Sequence, residues 1–141
     1  MLYVLKATVI AIGGSNGKTT TKELMHAVLA SGKKTFATQG NLNNHIGVPL
    51  TLLKLNGTHR TAVIEMGMSG LGEIGQLSRF TLPDVGVITN IGPVHLQFLG
   101  DTDTIAQAKG AVAPASTSGR IERIQDPQSP RRIKRRFGKD R

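Results

Sequence analysis

Apolar residues fall in short runs, set apart by amphipathic or polar stretches. Residues 7–12 are apolar and β-branched, as a parallel strand buried on both faces requires. A glycine-rich turn follows. From 19 to 30, Leu24, Ala27, Val28 and Leu29 recur at helical spacing, and Ser31-Gly32 ends that helix. Residues 34–38 predict a second strand. Residues 39–47, with three Asn and two Gly, read as a loop, and 48–55 as a short helix opening near Pro49. Residues 61–66 predict a third strand, 72–80 a helix bounded by Pro83, and 85–89 a fourth strand. A last helix is expected over 101–109, opening on an acidic, cap-rich turn.

Strand and helix alternating in this order imply an α/β fold: a parallel sheet with right-handed crossovers, flanked by helices. Such sheets bind ligands outside the carboxyl ends of their strands. Three polar clusters follow strands here, at 13–20, 65–67 and 90–95. The topology predicts that they meet on one rim.

Composition divides the chain near Gly110. Of the 141 residues, 18 are Lys or Arg and 9 are Asp or Glu, a net charge of +9. Residues 1–110 contribute +3 of this and residues 111–141 contribute +6, so the basic balance belongs to the end of the chain. Residues 111–141 include Arg131-Arg132-Ile133-Lys134-Arg135-Arg136, have little to bury, and predict a disordered basic tail. A nucleic-acid arm is the weaker reading, because Phe137 is the only aromatic there. The absence of cysteine excludes disulfides and thiol catalysis and is compatible with a reducing cytoplasm. No apolar run approaches the ~20 residues of a membrane span, and residues 1–6 do not read as a signal peptide.

The most specific chemistry lies between the first strand and its helix. Gly13-Gly14-Ser15-Asn16-Gly17-Lys18-Thr19-Thr20 has the context of a phosphate-binding loop. Its glycines let backbone N–H groups turn toward phosphate oxygens, and the helix N-terminus adds partial positive charge. Lys18 would sit on the β- and γ-phosphates and the Thr19 hydroxyl would reach Mg²⁺. The spacing departs from the generic P-loop, since Ile12 stands at its first Gly position. The competing reading is a glycine-rich turn with an exposed lysine.

Residues 14–20 resemble the shortened P-loop of the Mur ligases, the ATP-dependent peptide synthases of peptidoglycan assembly. Four further segments match in order: 38–49, with the form Gly-Asn-x-Asn-Asn-x-Ile-Gly; Glu65-Met66-Gly67; 89–96; and 105–110. They are most similar to the member that joins D-alanyl-D-alanine to UDP-N-acetylmuramoyl-tripeptide. The resemblance spans about residues 7–110 and implies a cytoplasmic P-loop NTPase-like domain.

It also implies roles. The family phosphorylates a carboxylate with ATP, and an amine then attacks the acyl phosphate. Gly14, Ser15, Asn16, Gly17, Lys18, Thr19 and Thr20 would bind ATP, with Asn90 contacting adenine. Thr19, Glu65, His95 and a carbamylated Lys109 would hold Mg²⁺; Lys18, His95 and Lys109 would be catalytic; Asn41, Asn43 and Asn44 would contact the UDP-N-acetylmuramoyl substrate. Read without the resemblance, Glu65 is a strand-end carboxylate in a salt bridge, Lys109 a helix-surface lysine, and the asparagines turn formers. His26 and His59 read as surface residues, His45 takes no role, and Met25, Met66 and Met68 read as packing groups.

The resemblance leads to the expectation that the family's N-terminal UDP-sugar-binding domain and its C-terminal domain are missing from these 141 residues, and that the sheet should continue past Gly110. The expectation is an incomplete central domain over 1–110, with residues 111–141 the product of truncation or a frameshift. As such a piece it would bind nucleotide weakly and not turn over alone. The alternative is a non-catalytic nucleotide-binding module.

Overall fold

The structure is a computed structural model, and it describes residues 7–69 and 72–91 in full and the backbone of 120–123. The elements run β1 (Thr8–Gly13), α1 (Lys18–Ala30), β2 (Thr35–Ala37), α2 (Gly47–Leu53), β3 (Thr61–Glu65), α3 (Glu73–Thr81), β4 (Val85–Ile88) and β5 (Arg120–Arg123). They form a parallel sheet in the order β2-β3-β1-β4-β5.

The first strand lies at the centre because it is apolar on both faces. Its even-numbered residues Ile10 and Ile12 pack with Val63 and Val87, and Met25 and Leu29 of α1 close over that side. Its odd-numbered residues Val9 and Ala11 face the other way, joining Ala62 and Ile64 under Val48 of α2 and Ile74 and Leu77 of α3. Helices thus cover both faces, which is why these strands carry continuous apolar runs instead of alternation. Met66 and Met68 are buried in the second cluster, as packing groups. Asp84 anchors the amino end of the sheet, its carboxylate accepting the Val9 N–H at 2.8 Å while its own N–H donates to the Val9 carbonyl at 2.9 Å. The third helix stops at Leu82, whose left-handed backbone (φ 45°) turns the chain before the buried Pro83.

Two expectations are corrected. The apolar spacing on α1 put Leu24, Ala27 and Val28 on its buried face with Leu29, yet all three are exposed, Leu24 at 63% and Val28 at 71%. The face turned to the sheet carries Lys22, Met25 and Leu29, at i, i+3 and i+7. The helix is rotated so because its first turn must present the phosphate loop to the rim. The second correction concerns residues 120–123, expected to lack structure: they pair in parallel with β4, Val85 opposite Arg120 and Ile88 opposite Arg123. The outer edge of β4 offers a row of unpaired N–H and C=O groups, and a backbone ladder needs no apolar run to form on it. The expected helix at 101–109 lies outside the described residues.

Candidate functional site

Register brings the predicted clusters to one rim. Ile12 lies opposite Glu65 on one side of β1, and Gly13 lies opposite Ile88 on the other. The loop leaving β1 therefore rises between the ends of β3 and β4.

That loop is clamped by the chain leaving β4. The Ser15 N–H donates to the Asn90 carbonyl at 3.0 Å, and the Asn16 N–H to the Asn90 side-chain Oδ1 at 2.8 Å. The Thr89 hydroxyl donates to the Asn16 carbonyl at 2.5 Å, and the Thr89 N–H to the Gly13 carbonyl at 3.0 Å. Gly14 has φ +141°, and a Cβ built there would overlap the Thr89 hydroxyl. Gly17, at φ +78°, turns the chain into α1. The Lys18 side chain folds back over the loop, its Nζ donating to the Gly14 carbonyl at 3.1 Å. Thr20 is exposed on the first turn of the helix.

Glu65 is the centre of the site. Its carboxylate is 2% exposed, at the end of a strand buried along its whole length. The Thr19 hydroxyl approaches both of its oxygens, at 3.2 and 3.1 Å. Asn43 Nδ2 donates to Oε1 at 2.9 Å. Lys22 Nζ stands 3.8 Å from Oε2. The Glu65 backbone is fixed as well, its N–H donating to the Thr38 hydroxyl at 3.0 Å.

The asparagine loop folds onto the same rim. The Gly67 N–H donates to the Asn43 carbonyl at 2.7 Å, and a Cβ on Gly67 would come within 2.9 Å of the Asn43 amide. Asn43 thus touches Glu65 directly. Asn44 Oδ1 accepts the N–H groups of Ile46 and Gly47, at 3.1 and 2.8 Å, where the loop enters α2. Asn41 is exposed, its carbonyl accepting the Asn43 N–H at 2.7 Å. His95 and Lys109 lie outside the described residues. His45 is exposed. His26 and His59, expected at the surface, are half-buried: His26 Nε2 lies 3.2 Å from the Thr35 carbonyl, and His59 meets Phe36 edge-on at 5.2 Å.

The rim residue that the sequence reading passed over is Lys22. It is fully buried, its Nζ 2.9 Å from the exposed Glu23 Oε1 and without a hydrogen bond of good geometry. The ammonium beside it holds the Glu23 carboxyl below its ordinary 4.5, first by contact at hydrogen-bond distance and then by charge. Removing one partner of a buried ion pair costs about 3–5 kcal/mol, because the other charge stays behind. The available signal was positional: Lys22 stands three residues after Thr19, on the same face of a helix that starts at the loop.

The donors that converge here are oxygens: one carboxylate and one hydroxyl, beside a glycine-rich turn at a helix N-terminus. This hard donor set fits Mg²⁺, which is held through one or two carboxylates together with substrate phosphates and waters. No group of three or more His, Cys, Asp or Glu able to hold a metal occurs among the described residues.

Comparisons with known proteins agree with this geometry. Residues 12–135 match the family described as Mur ligase middle domain. The chain is 54% identical over 108 residues to the UDP-N-acetylmuramoyl-tripeptide–D-alanyl-D-alanine ligase of Bacillus subtilis, covering 77% of this chain and 24% of that protein. It is 42% identical over 106 residues to the Escherichia coli enzyme of the same name, covering 75% and 24%. Among solved structures, a crystal structure of MurF from Acinetobacter baumannii superposes with a TM-score of 0.74 at 45% identity, over 76% of this chain and 24% of that one. MurF from Thermotoga maritima in complex with ADP gives 0.74 at 37% identity, over 79% and 26%. The chain spans about a quarter of the length of the relatives it matches. A glycine-rich turn clamped from β4, a carboxylate at the end of β3 and these matches lead to one conclusion: the chain belongs to the Mur ligase family, within its middle domain.

Proposed function

We propose that this chain is the ATP-binding portion of an ATP-dependent amide-forming ligase of peptidoglycan precursor synthesis. The whole enzyme would join D-alanyl-D-alanine to UDP-N-acetylmuramoyl-tripeptide. The family match over residues 12–135 and the pairing of β5 with β4 support a ligase-like part that runs past residue 110. The observation that carries the reading is the Thr19 hydroxyl, within 3.2 Å of both Glu65 oxygens directly below the Gly14–Lys18 loop.

The loop binds and orients the triphosphate through its backbone and the α1 N-terminus. Lys18 leaves the Gly14 carbonyl and places its charge on the β- and γ-phosphates, where negative charge builds as the γ-phosphoryl moves to the substrate carboxylate. Thr19 and Glu65 would hold Mg²⁺, with His95 and a carbamylated Lys109 at the same centre. When bound, the ion supplies charge neutralisation on the bridging phosphate oxygens. Asn90, which accepts the Asn16 N–H, would contact the base, and Asn41, Asn43 and Asn44 would contact the UDP-N-acetylmuramoyl substrate. The resulting acyl phosphate would be attacked by the amine of D-alanyl-D-alanine, which forms the amide and releases phosphate.

Calorimetric titration of ATP with Mg²⁺ into the 141-residue chain, beside Lys18→Ala, tests the nucleotide site. Binding by the wild type and its loss in the variant are expected. Failure of the wild type to bind overturns the reading. Grafting residues 7–110 into the Bacillus subtilis ligase tests the reaction. The folded chimera should form amide from UDP-N-acetylmuramoyl-tripeptide and D-alanyl-D-alanine, whereas the 141-residue chain alone should not. A folded, inactive chimera that still binds ATP leaves the chain a nucleotide-binding module.

A further inference from the structure

Lys22 has no role in the reading above, yet it is the most deeply buried charge at the rim. Its Nζ is fully enclosed, 3.8 Å from Glu65 Oε2, with Glu23 as its only other anionic neighbour among the described residues. It is not a surface lysine that has drifted inward: Met25 and Leu29, on the same helical face, pack into the core beside it. Glu65 is shared among Asn43 on Oε1, Lys22 near Oε2 and Thr19 across both. The carboxylate is therefore held by three side chains, two from α1 and one from the asparagine loop, and one of them is a resident cation.

We propose that Lys22 is a positioning residue that neutralises Glu65 while the site is empty, so that the rim takes its divalent cation together with nucleotide phosphates and not alone. The proposal rests on the reading of Glu65 as a metal-site carboxylate.

The physical argument is one of local charge. Lys22 lies between the exposed Glu23 and the buried Glu65; water screens Glu23, so the buried pair of Lys22 and Glu65 sums to about zero, and a free divalent ion gains little at the carboxylate to offset its lost hydration. Phosphates bound at the loop add several negative charges beside the same carboxylate, and the ion then has a strong partner. Lys22 also fixes Oε2, so the carboxylate does not have to reorient when the ion arrives with its nucleotide. Without Lys22, Glu65 is a buried anion with only neutral donors, and a bare divalent cation becomes its natural counter-charge.

The test is a titration of Mn²⁺ alone, followed by the free-ion electron paramagnetic resonance signal, into the 141-residue chain and into Lys22→Met, Lys22→Arg and Lys22→Met/Glu65→Gln. Lys22→Met should bind Mn²⁺ about tenfold or more tightly than wild type. Lys22→Arg should match wild type, and the double variant should lose the gain. Thermal unfolding gives a second readout: Mn²⁺ should raise the midpoint of Lys22→Met and leave wild type and the double variant unmoved. If Lys22→Met is unfolded without metal, Mn²⁺ should fold it. A Lys22→Met chain that binds Mn²⁺ no more tightly than wild type, that stays unfolded at millimolar Mn²⁺, or whose gain survives Glu65→Gln overturns the proposal. These measurements contain no nucleotide. Failure of the wild type to bind ATP would therefore be a separate result, counting against the ligase reading only.

Discussion

Replacing Gly14 by Ala tests whether the loop has its shape because β4 holds it there. Two costs add. The backbone at Gly14 sits at φ +141°, where a side chain costs about 1–3 kcal/mol. The new methyl would also fall on the Thr89 hydroxyl and within 3.1 Å of the Thr89 Cβ and N. Thr89 must then rotate away, giving up its bond to the Asn16 carbonyl at 2.5 Å, a further ~1 kcal/mol. Gly14→Ala should therefore destabilise by about 2–4 kcal/mol, read by urea unfolding with an unchanged m value. Gly17→Ala is the internal control, because it too has a positive φ, +78°, but nothing lies within 4 Å of its Cβ. It should lose only the conformational part, about 1–2 kcal/mol. Adding Thr89→Ala to Gly14→Ala should recover part of the difference, since the overlap is with the hydroxyl first. If Gly14→Ala is no worse than Gly17→Ala, or if Thr89→Ala recovers nothing, the clamp between β4 and the loop does not shape the loop as described.

Three other perturbations follow from the hydrogen-bond geometry. Asp84→Ala removes the carboxylate that accepts the Val9 N–H at 2.8 Å and should cost about 1–3 kcal/mol in urea unfolding, with ATP binding by the remaining folded protein unchanged. Asn44→Ala leaves the N–H groups of Ile46 and Gly47 without their side-chain acceptor and should cost about 0.5–2 kcal/mol, whereas Asn44→Asp should retain most of it. Glu23, whose folded-state pKa is lowered below 4.5 by Lys22, contributes stability that is complete above that value and disappears as pH falls through the lower folded value. Because its side chain is 63% exposed the effect is small; the stability gap between wild type and Glu23→Gln should be constant from neutral pH down to about 4.5 and close below it, and a gap that widens on acidification would contradict the ion pair.

Much of the fold was legible because the strands that build the sheet are buried on both faces. Residues 7–12, 61–66 and 85–89 announce themselves as unbroken apolar runs, and glycine, proline or asparagine punctuates the chain between them. The phosphate loop was legible for a related reason: its glycines and Gly17-Lys18-Thr19 act locally, within one strand-turn-helix unit. The fifth strand was not, because Arg120-Ile121-Glu122-Arg123 contributes backbone to an open edge, and a ladder partner leaves no hydrophobic signature.

The rim shows where local reading ends. Glu65 could be placed at a strand end from its own neighbours, but what surrounds it comes from Thr19, Lys22 and Asn43, residues 46, 43 and 22 positions away in the chain. Apolar periodicity then gives the wrong rotation for α1. It picks out Leu24 and Val28, because they are apolar, and passes over Lys22, although Leu24 and Val28 are exposed and Lys22 is buried. The helix is instead fixed by its first turn: once Thr19 must reach the carboxylate, the residue one turn on is carried inward with it. A lysine there is tolerable only with an anion in reach, and two are: the buried Glu65 and the exposed Glu23. The burial of Lys22 and the position of Thr19 are thus one constraint seen twice, and a chain with an apolar residue at 22 would present the same loop with a different charge beneath it.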